Sequence, residues 1–138
     1  MVCPYCGFNA ELVDSIAVYR KSYGMIWLCQ PCQAWVGTHK DSKTHKPLGT
    51  LARAELRELR QEAHARFDPF WRKLSERGLS KGTARKTLYS RLAGLMGIDS
   101  SACHIAQFGE EQCRQVIEIC SGWERAAAEA AALDSRKS

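Results

Sequence analysis

Cys3-Pro4-Tyr5-Cys6 and Cys29-Gln30-Pro31-Cys32 are separated by 22 residues, and this pair of Cys-X-X-Cys steps constrains the fold more than any other feature of the chain. Two residues between thiolates let one tight turn set both sulfurs on the same edge of a tetrahedron, about 2.3 Å from a metal ion. Two such turns close a four-coordinate shell that has no place for water. The expected ion is therefore one structural Zn²⁺ held by Cys3, Cys6, Cys29 and Cys32. Gly7, directly after the first step, suits a turn that needs a left-handed residue. Gln33 stands at the equivalent place in the second, so the two turns are not expected to be perfect copies.

Cys-Pro-Tyr-Cys is also the dithiol sequence of glutaredoxins. That chemistry works where the motif follows a strand and opens a helix, whose amino terminus lowers the nucleophile's pKa. Here the motif begins at Cys3, strand-like sequence follows it, and a redox reading leaves the second Cys-X-X-Cys unexplained. His39 and His45 lie just beyond the second step, where a histidine replaces a thiolate in related sites, but four cysteines already complete the shell.

Between the two steps the chain reads as a β-hairpin. Asn9 to Tyr19 is rich in β-branched and aromatic residues, with Leu12, Ile16 and Val18 tending to one side. Arg20 to Gly24 is a polar turn, Met25 to Leu28 leads into the second step, and Ala34 to Gly37 reads as a short third strand. A module of about forty residues is below the size that a hydrophobic core stabilises unaided, so loss of the metal should melt it. Residues 1–46 are expected to form a zinc ribbon, with the polar stretch Lys40 to Pro47 as the boundary to a helical domain over 47–138. The fold class is α+β.

From Leu48 the apolar period becomes helical. Leu51, Ala52, Leu56, Leu59, Ala63, Phe67 and Phe70 recur at three- and four-residue steps, with Thr50 as the expected cap. Asp68-Pro69 reads as a cap followed by proline, where the helix should kink or restart before stopping at Gly78. Ser80 or Thr83 opens a second helix whose Ala84, Leu88, Leu92 and Leu95/Met96 face inward, ending at Gly97-Ile98. Leu92 to Phe108 has the outline of a helix-turn-helix, yet Ser100 to Phe108 offers no Arg or Lys for base readout. From Glu110 a last helix places Cys113, Val116/Ile117, Cys120, Trp123 and Ala127 on one side, and its Ala-rich end and terminal Ser-Arg-Lys-Ser read as fraying.

Arg53, Arg57, Arg60 and His64 recur at steps of four, three and four, which stacks them in one helical stripe. A row of cations at one-turn spacing can follow phosphates or meet an acidic protein surface; its bland counterpart is a solvated face with local pairs such as Glu62 with Arg66. Lys81, Arg85 and Lys86 extend the basic surface on the next helix. Charge is concentrated there: residues 51–92 carry eleven Lys/Arg against five Asp/Glu, whereas residues 93–138 carry four against seven. The whole chain is only +5, and four thiolates on one Zn²⁺ would lower that, so bulk charge by itself is a weak sign of nucleic-acid binding. Tyr23, Trp27 and Trp35 are available to stack on bases if exposed, although Trp27 is expected in the ribbon core.

No run approaches the ~18 uninterrupted apolar residues of a membrane span and no signal segment opens the chain, which points to a soluble cytoplasmic protein that does not engage membranes. Seven cysteines, four in metal spacing, suit a reducing compartment. The chain has no Gly-rich phosphate loop, no Ser-centred nucleophile motif and no His-Glu-X-X-His pattern, so catalysis is not expected. Cys103, His104 and Cys113, with His64, lack the close paired spacing of a second metal site.

Cys-Pro-Tyr-Cys-Gly, Trp35-Val36-Gly37-Thr38-His39, Pro47-Leu48-Gly49-Thr50-Leu51-Ala52, Ala63-His64 with Phe67-Asp68-Pro69-Phe70-Trp71, and Leu95-Met96-Gly97-Ile98 with Cys103-His104-Ile105 together form a pattern. It resembles the zinc-finger-containing domain family found in phage, prophage and bacterial genomes, over nearly the whole stretch from Cys3 to Cys120. The resemblance implies zinc binding and a mobile-element setting, not a reaction. The leading expectation is a zinc-ribbon module that binds nucleic acid through Arg53, Arg57, Arg60, His64, Lys81, Arg85 and Lys86; the alternative is a phage adaptor or inhibitor that binds a host protein.

Overall fold

The computed structural model describes residues 1–137. Near the amino terminus three strands, β1 (Glu11–Asp14), β2 (Met25–Cys29) and β3 (Ala34–Gly37), form an antiparallel sheet in the order β1-β2-β3. Leu12 pairs with Trp27 and Trp27 with Val36, which sends the flanking Ile26 and Leu28 of β2 to the opposite, buried face. Three α-helices come after the sheet, α1 (Ala54–Glu76), α2 (Lys81–Met96) and α3 (Glu110–Lys137). The chain divides into two compact units, Met1–Glu58 and the remainder from Leu59, with the division inside α1.

β1 is shorter than the sequence implies. After Asp14 the chain enters a single 3-10 turn, Ser15–Ala17. The Asp14 carboxylate accepts from the Ile16 N–H and the Ser22 hydroxyl, both at 2.9 Å, and the Ser15 hydroxyl accepts from the Tyr23 N–H at 2.7 Å. These local bonds compete with a strand ladder. Ile16, expected beside Leu12 on a strand face, is 60% exposed as a result.

The stretch Lys40–Pro47, expected as a connection, folds back on β3. His39 N–H donates to the Lys46 carbonyl, Leu48 N–H to Gly37, and the Trp27 indole to the His45 carbonyl at 2.9 Å. Helix α1 begins at Ala54 instead of near Thr50, because Ala52 exchanges both backbone bonds with Trp35 at 3.1 Å. Leu51, expected on the helix face, is fully buried with Cys3, Ala10, Cys29 and Ala34.

Asp68-Pro69 does not restart a helix, and α1 runs through Pro69. The Asp68 carboxylate accepts from the Trp71 indole N–H at 2.9 Å instead of capping. Proline removes one i to i−4 bond, but Phe67 and Trp71 are buried on either side of it and hold the helix together across the gap. Gly78 is left-handed at φ +114°, and the Ser80 side chain caps α2 by accepting from the Thr83 N–H. Ala84, Leu88, Leu92 and Ala93 are buried, whereas Leu95 is exposed.

Gly97, at φ +72°, closes α2, with the Ile98 N–H returning to Ala93. Beyond it lie two 3-10 turns, Ser100–Ala102 and Ile105–Gln107, so the outlined recognition helix is not formed. On α3, Cys113, Val116 and Cys120 are fully buried, Trp123 is half-buried against Phe70 at 5.1 Å, and Ala127 is exposed. The helix continues through the Ala-rich run; the terminal Ser138, within the stretch expected to fray, lies outside the described residues. No described helix is long and apolar enough to cross a membrane.

Candidate metal centre and cationic surfaces

The first knuckle is closed by backbone. Gly7 N–H donates to the Cys3 carbonyl at 2.9 Å, Cys3 N–H donates to Phe8 at 2.8 Å, and Gly7 takes φ +79°. The second forms where β2 ends, and Gln33 takes the same left-handed conformation at φ +54°. The two turns are therefore closer copies than the residue types imply. Gln33 offsets the cost of a side chain there by donating its N–H and its side-chain amide to the Gln30 carbonyl, at 3.2 and 2.7 Å.

Cys3, Cys6, Cys29 and Cys32 converge, with all four sulfurs within 4.8 Å of one another. Cys6 Sγ and Cys29 Sγ are 3.6 Å apart, and all four are free thiols. Four sulfurs at about 2.3 Å around a tetrahedral ion stand about 3.8 Å apart, so the cluster has the span of a four-thiolate metal shell. A disulfide needs about 2.05 Å. Cys3 and Cys29 are buried and Cys32 is half-buried, and the soft, all-sulfur donor set suits zinc.

The thiols share their protons unevenly. Burial would raise Cys3, but the Tyr5 and Cys6 N–H groups and the Cys29 and Cys6 thiols outweigh it and bring Cys3 down to about 7. At Cys29 the Cys32 N–H pulls down, yet burial and the surrounding sulfurs push the thiol up to about 12. Burial and the Cys6 sulfur raise Cys32, opposed by the Cys29 sulfur and the Arg53 guanidinium. The Cys-Pro-Tyr-Cys segment opens no helix, and the next element along the chain is β1, so the dithiol-redox geometry is absent from it.

His39 and His45 are outside this cluster, and Cys103, His104, Cys113 and His64 do not gather into a second one among the described residues. Cys103, Cys113 and Cys120 are core residues. Burial raises all three, Cys103 and Cys120 to about 11. His64 instead faces Asp68 at 3.8 Å along its own helix.

The cations fall into three groups. Arg53 and Arg57 belong to the amino-terminal unit and lie over aromatic rings: Arg53 over Tyr5 and Arg57 over Trp35, each at 4.3 Å. The Tyr5 hydroxyl accepts from the Arg53 N–H, and Arg57 also donates to the Ala52 carbonyl. Trp35 is further covered by Tyr19 at 5.2 Å; Tyr23 is 69% exposed. Arg60 is only 9% exposed, and its Nε donates to the Phe108 carbonyl at 2.9 Å, which withdraws it from any solvent-facing stripe. Its burial follows from the period, because Arg60 sits one turn after Leu56 and one before Ala63, both buried.

Lys81, Arg85 and Lys86 form the third group, exposed on α2 with Arg91. Nothing in sequence spacing marks the Arg53–Tyr5 contact, whose partners are 48 residues apart. A family model described as a zinc-finger-containing domain matches residues 1–122. No curated protein and no solved structure matches the chain.

Proposed function

We propose, from the premise that this chain belongs to the zinc-finger-containing domain family, that its four cysteines hold one structural Zn²⁺ and that it is a non-catalytic nucleic-acid-binding module working through the cations of α2. One observation carries the second half. Helix α2 has Lys81, Arg85, Lys86 and Arg91 and not one Asp or Glu, and none of the four takes part in an ion pair among the described residues, whereas Arg66, Arg72 and Arg114 of α1 and α3 each lie beside a carboxylate. Lys81 and Arg85 also stand near the amino end of α2, where the helix dipole disfavours positive charge by about 0.3–1 kcal/mol per residue. A polyanion relieves that repulsion. Arg53 and Arg57 serve the aromatic cluster around the metal centre, and Arg60 serves the helical core. Tyr23, 69% exposed in the amino-terminal unit, offers a ring on which a base can stack. Seven cysteines, four of them gathered as one metal site, suit a reducing, cytoplasmic setting.

Fluorescence anisotropy with labelled DNA and RNA, single-stranded and duplex, tests this. With about four phosphate contacts, affinity should fall roughly a hundredfold between 50 and 200 mM salt. The double variant Lys81→Glu/Arg91→Glu should abolish binding without loss of fold. An absence of binding to any of these strands at 20 mM salt overturns the reading.

A second reading rests on Val2 and Phe8, 59% and 76% exposed apolar residues at the first knuckle, which suit a protein partner. In that case the chain is a mobile-element adaptor or inhibitor. A stoichiometric host protein retained after nuclease treatment, and lost with Phe8→Ser, would favour it.

A further inference from the structure

Within the helical unit, Gly82, Arg85, Lys86, Tyr89 and Ser90 recur at steps of three and four along α2 and so share one helix face. That face is one wall of a cleft of about 540 Å³, and Ser100, Ser101 and His104, from the turns after α2, form the other. Tyr89 lines the cleft with its ring 4.6 Å from Phe67 and 6.1 Å from His104. The cleft thus gathers a guanidinium, an ammonium, an imidazole, three serine hydroxyls and a phenol, and none of its cations makes an ion pair among the described residues. Arg85 is steadied over the Trp71 ring at 4.7 Å, which leaves its N–H edge available. The nearest carboxylate in sequence, Asp99, is occupied by the Ser101 N–H and hydroxyl at 2.9 and 2.8 Å, which leaves Ser90 and Ser100 as the uncommitted serine hydroxyls.

We infer that this cleft binds a phosphate monoester. A monoester dianion presents three terminal oxygens and two charges from one end, which matches donors converging from two walls; an internal phosphodiester, with one charge and two bridging oxygens, needs only an open cationic face such as that of Lys81 and Arg91. The inference rests on the nucleic-acid reading in one respect, that the monoester is the terminal phosphate of a strand; a free nucleotide or phosphorylated metabolite carries the same group.

The test compares one oligonucleotide sequence bearing a 5′-phosphate, a 3′-phosphate or hydroxyls at both ends, together with inorganic phosphate and a nucleoside 5′-monophosphate. Affinities come from anisotropy and calorimetry, and the site is mapped by amide chemical shifts. One phosphorylated end should bind at least tenfold more tightly than the hydroxyl form, with shifts at Arg85, Lys86, Ser100 and His104. Lys86→Gln, which breaks no internal contact, should erase that preference, while Lys81→Gln weakens all strands alike. Binding of inorganic phosphate or the monophosphate at this cleft, with no strand binding, supports the cleft and removes the nucleic-acid reading. Equal affinity for hydroxyl and phosphate ends, with no shifts from the small phosphates, overturns the inference and leaves the nucleic-acid reading standing.

Discussion

Removing the metal from the four-cysteine centre should unfold the amino-terminal unit and spare the helical one. The buried residues of the sheet unit include few large side chains: Ile26, Leu28 and Leu51 beside Ala10, Ala34, Ala52 and the clustered Cys3 and Cys29, with Leu56 at the start of α1. Each large aliphatic contributes about 1.5–3 kcal/mol, so Ile26, Leu28 and Leu51 together supply at most about 9 kcal/mol. A structural Zn²⁺ contributes about 10–16 kcal/mol of apparent folding free energy at neutral pH, more than those side chains combined. The helical unit keeps its own core of Phe67, Leu88, Leu92, Ile105, Phe108 and Val116.

The assay is amide hydrogen exchange before and after chelation with a reductant present, alongside colorimetric measurement of the zinc released, expected at one ion per chain. Protection over β1, β2 and β3 should fall by at least about a thousandfold, equivalent to about 4 kcal/mol. Amides of α2 and of α3 around Val116 should keep theirs, and added zinc should restore the sheet. Persisting sheet protection in metal-free protein, or a Cys29→Ser variant with full zinc content and native exchange, refutes the reasoning.

Other consequences are narrower. Arg60→Ala leaves the Phe108 carbonyl without its donor and should destabilise the helical unit by about 2–4 kcal/mol in urea titration, while leaving nucleic-acid affinity of the folded protein unchanged; a loss under about 0.5 kcal/mol contradicts the role given to it. Burial raises the Tyr89 phenol to about 12 from its ordinary 10, so the folded state favours the neutral form. That stabilisation is fully present below pH 10 and disappears as pH climbs through 12, amounting to about 2 kcal/mol. Tyr89→Phe should lack this loss, and wild-type and variant urea midpoints that run parallel from pH 9 to 12 refute it. Gly94 lies in α2 with nothing within 4 Å of an added Cβ. Gly94→Ala should therefore raise stability by about 0.5–1 kcal/mol and the melting temperature by a few degrees, with a lowered Tm as the contrary outcome.

Much of the fold was legible in short-range pattern. The two Cys-X-X-Cys turns, the third strand at Ala34–Gly37, the Ser80 cap, the Gly97 stop and the start of the last helix at Glu110 all depend on torsions and hydrogen bonds within a few residues. Spacing alone also indicated the four sulfurs, because each pair is set by one turn. Where prediction and structure part, a backbone or side-chain partner that the periodic pattern does not show intervenes. Thr50 and Leu51 do not open a helix because Ala52 is taken by Trp35, and Asp68 does not cap one because α1 continues through it and its carboxylate accepts from the Trp71 indole.

Local chemistry is thus written in the order of residues: which of them turn, which cap, which can hold a metal. Packing selects which like-looking groups are free to act. Arg53, Arg57, Arg60 and Arg85 are chemically identical, yet one lies over Tyr5, one over Trp35, one bonds a buried carbonyl, and one lies over Trp71 at the wall of a cleft. A guanidinium's availability depends on the desolvation and partners it meets, and those are supplied by segments tens of residues away, beyond the reach of any period read along the chain.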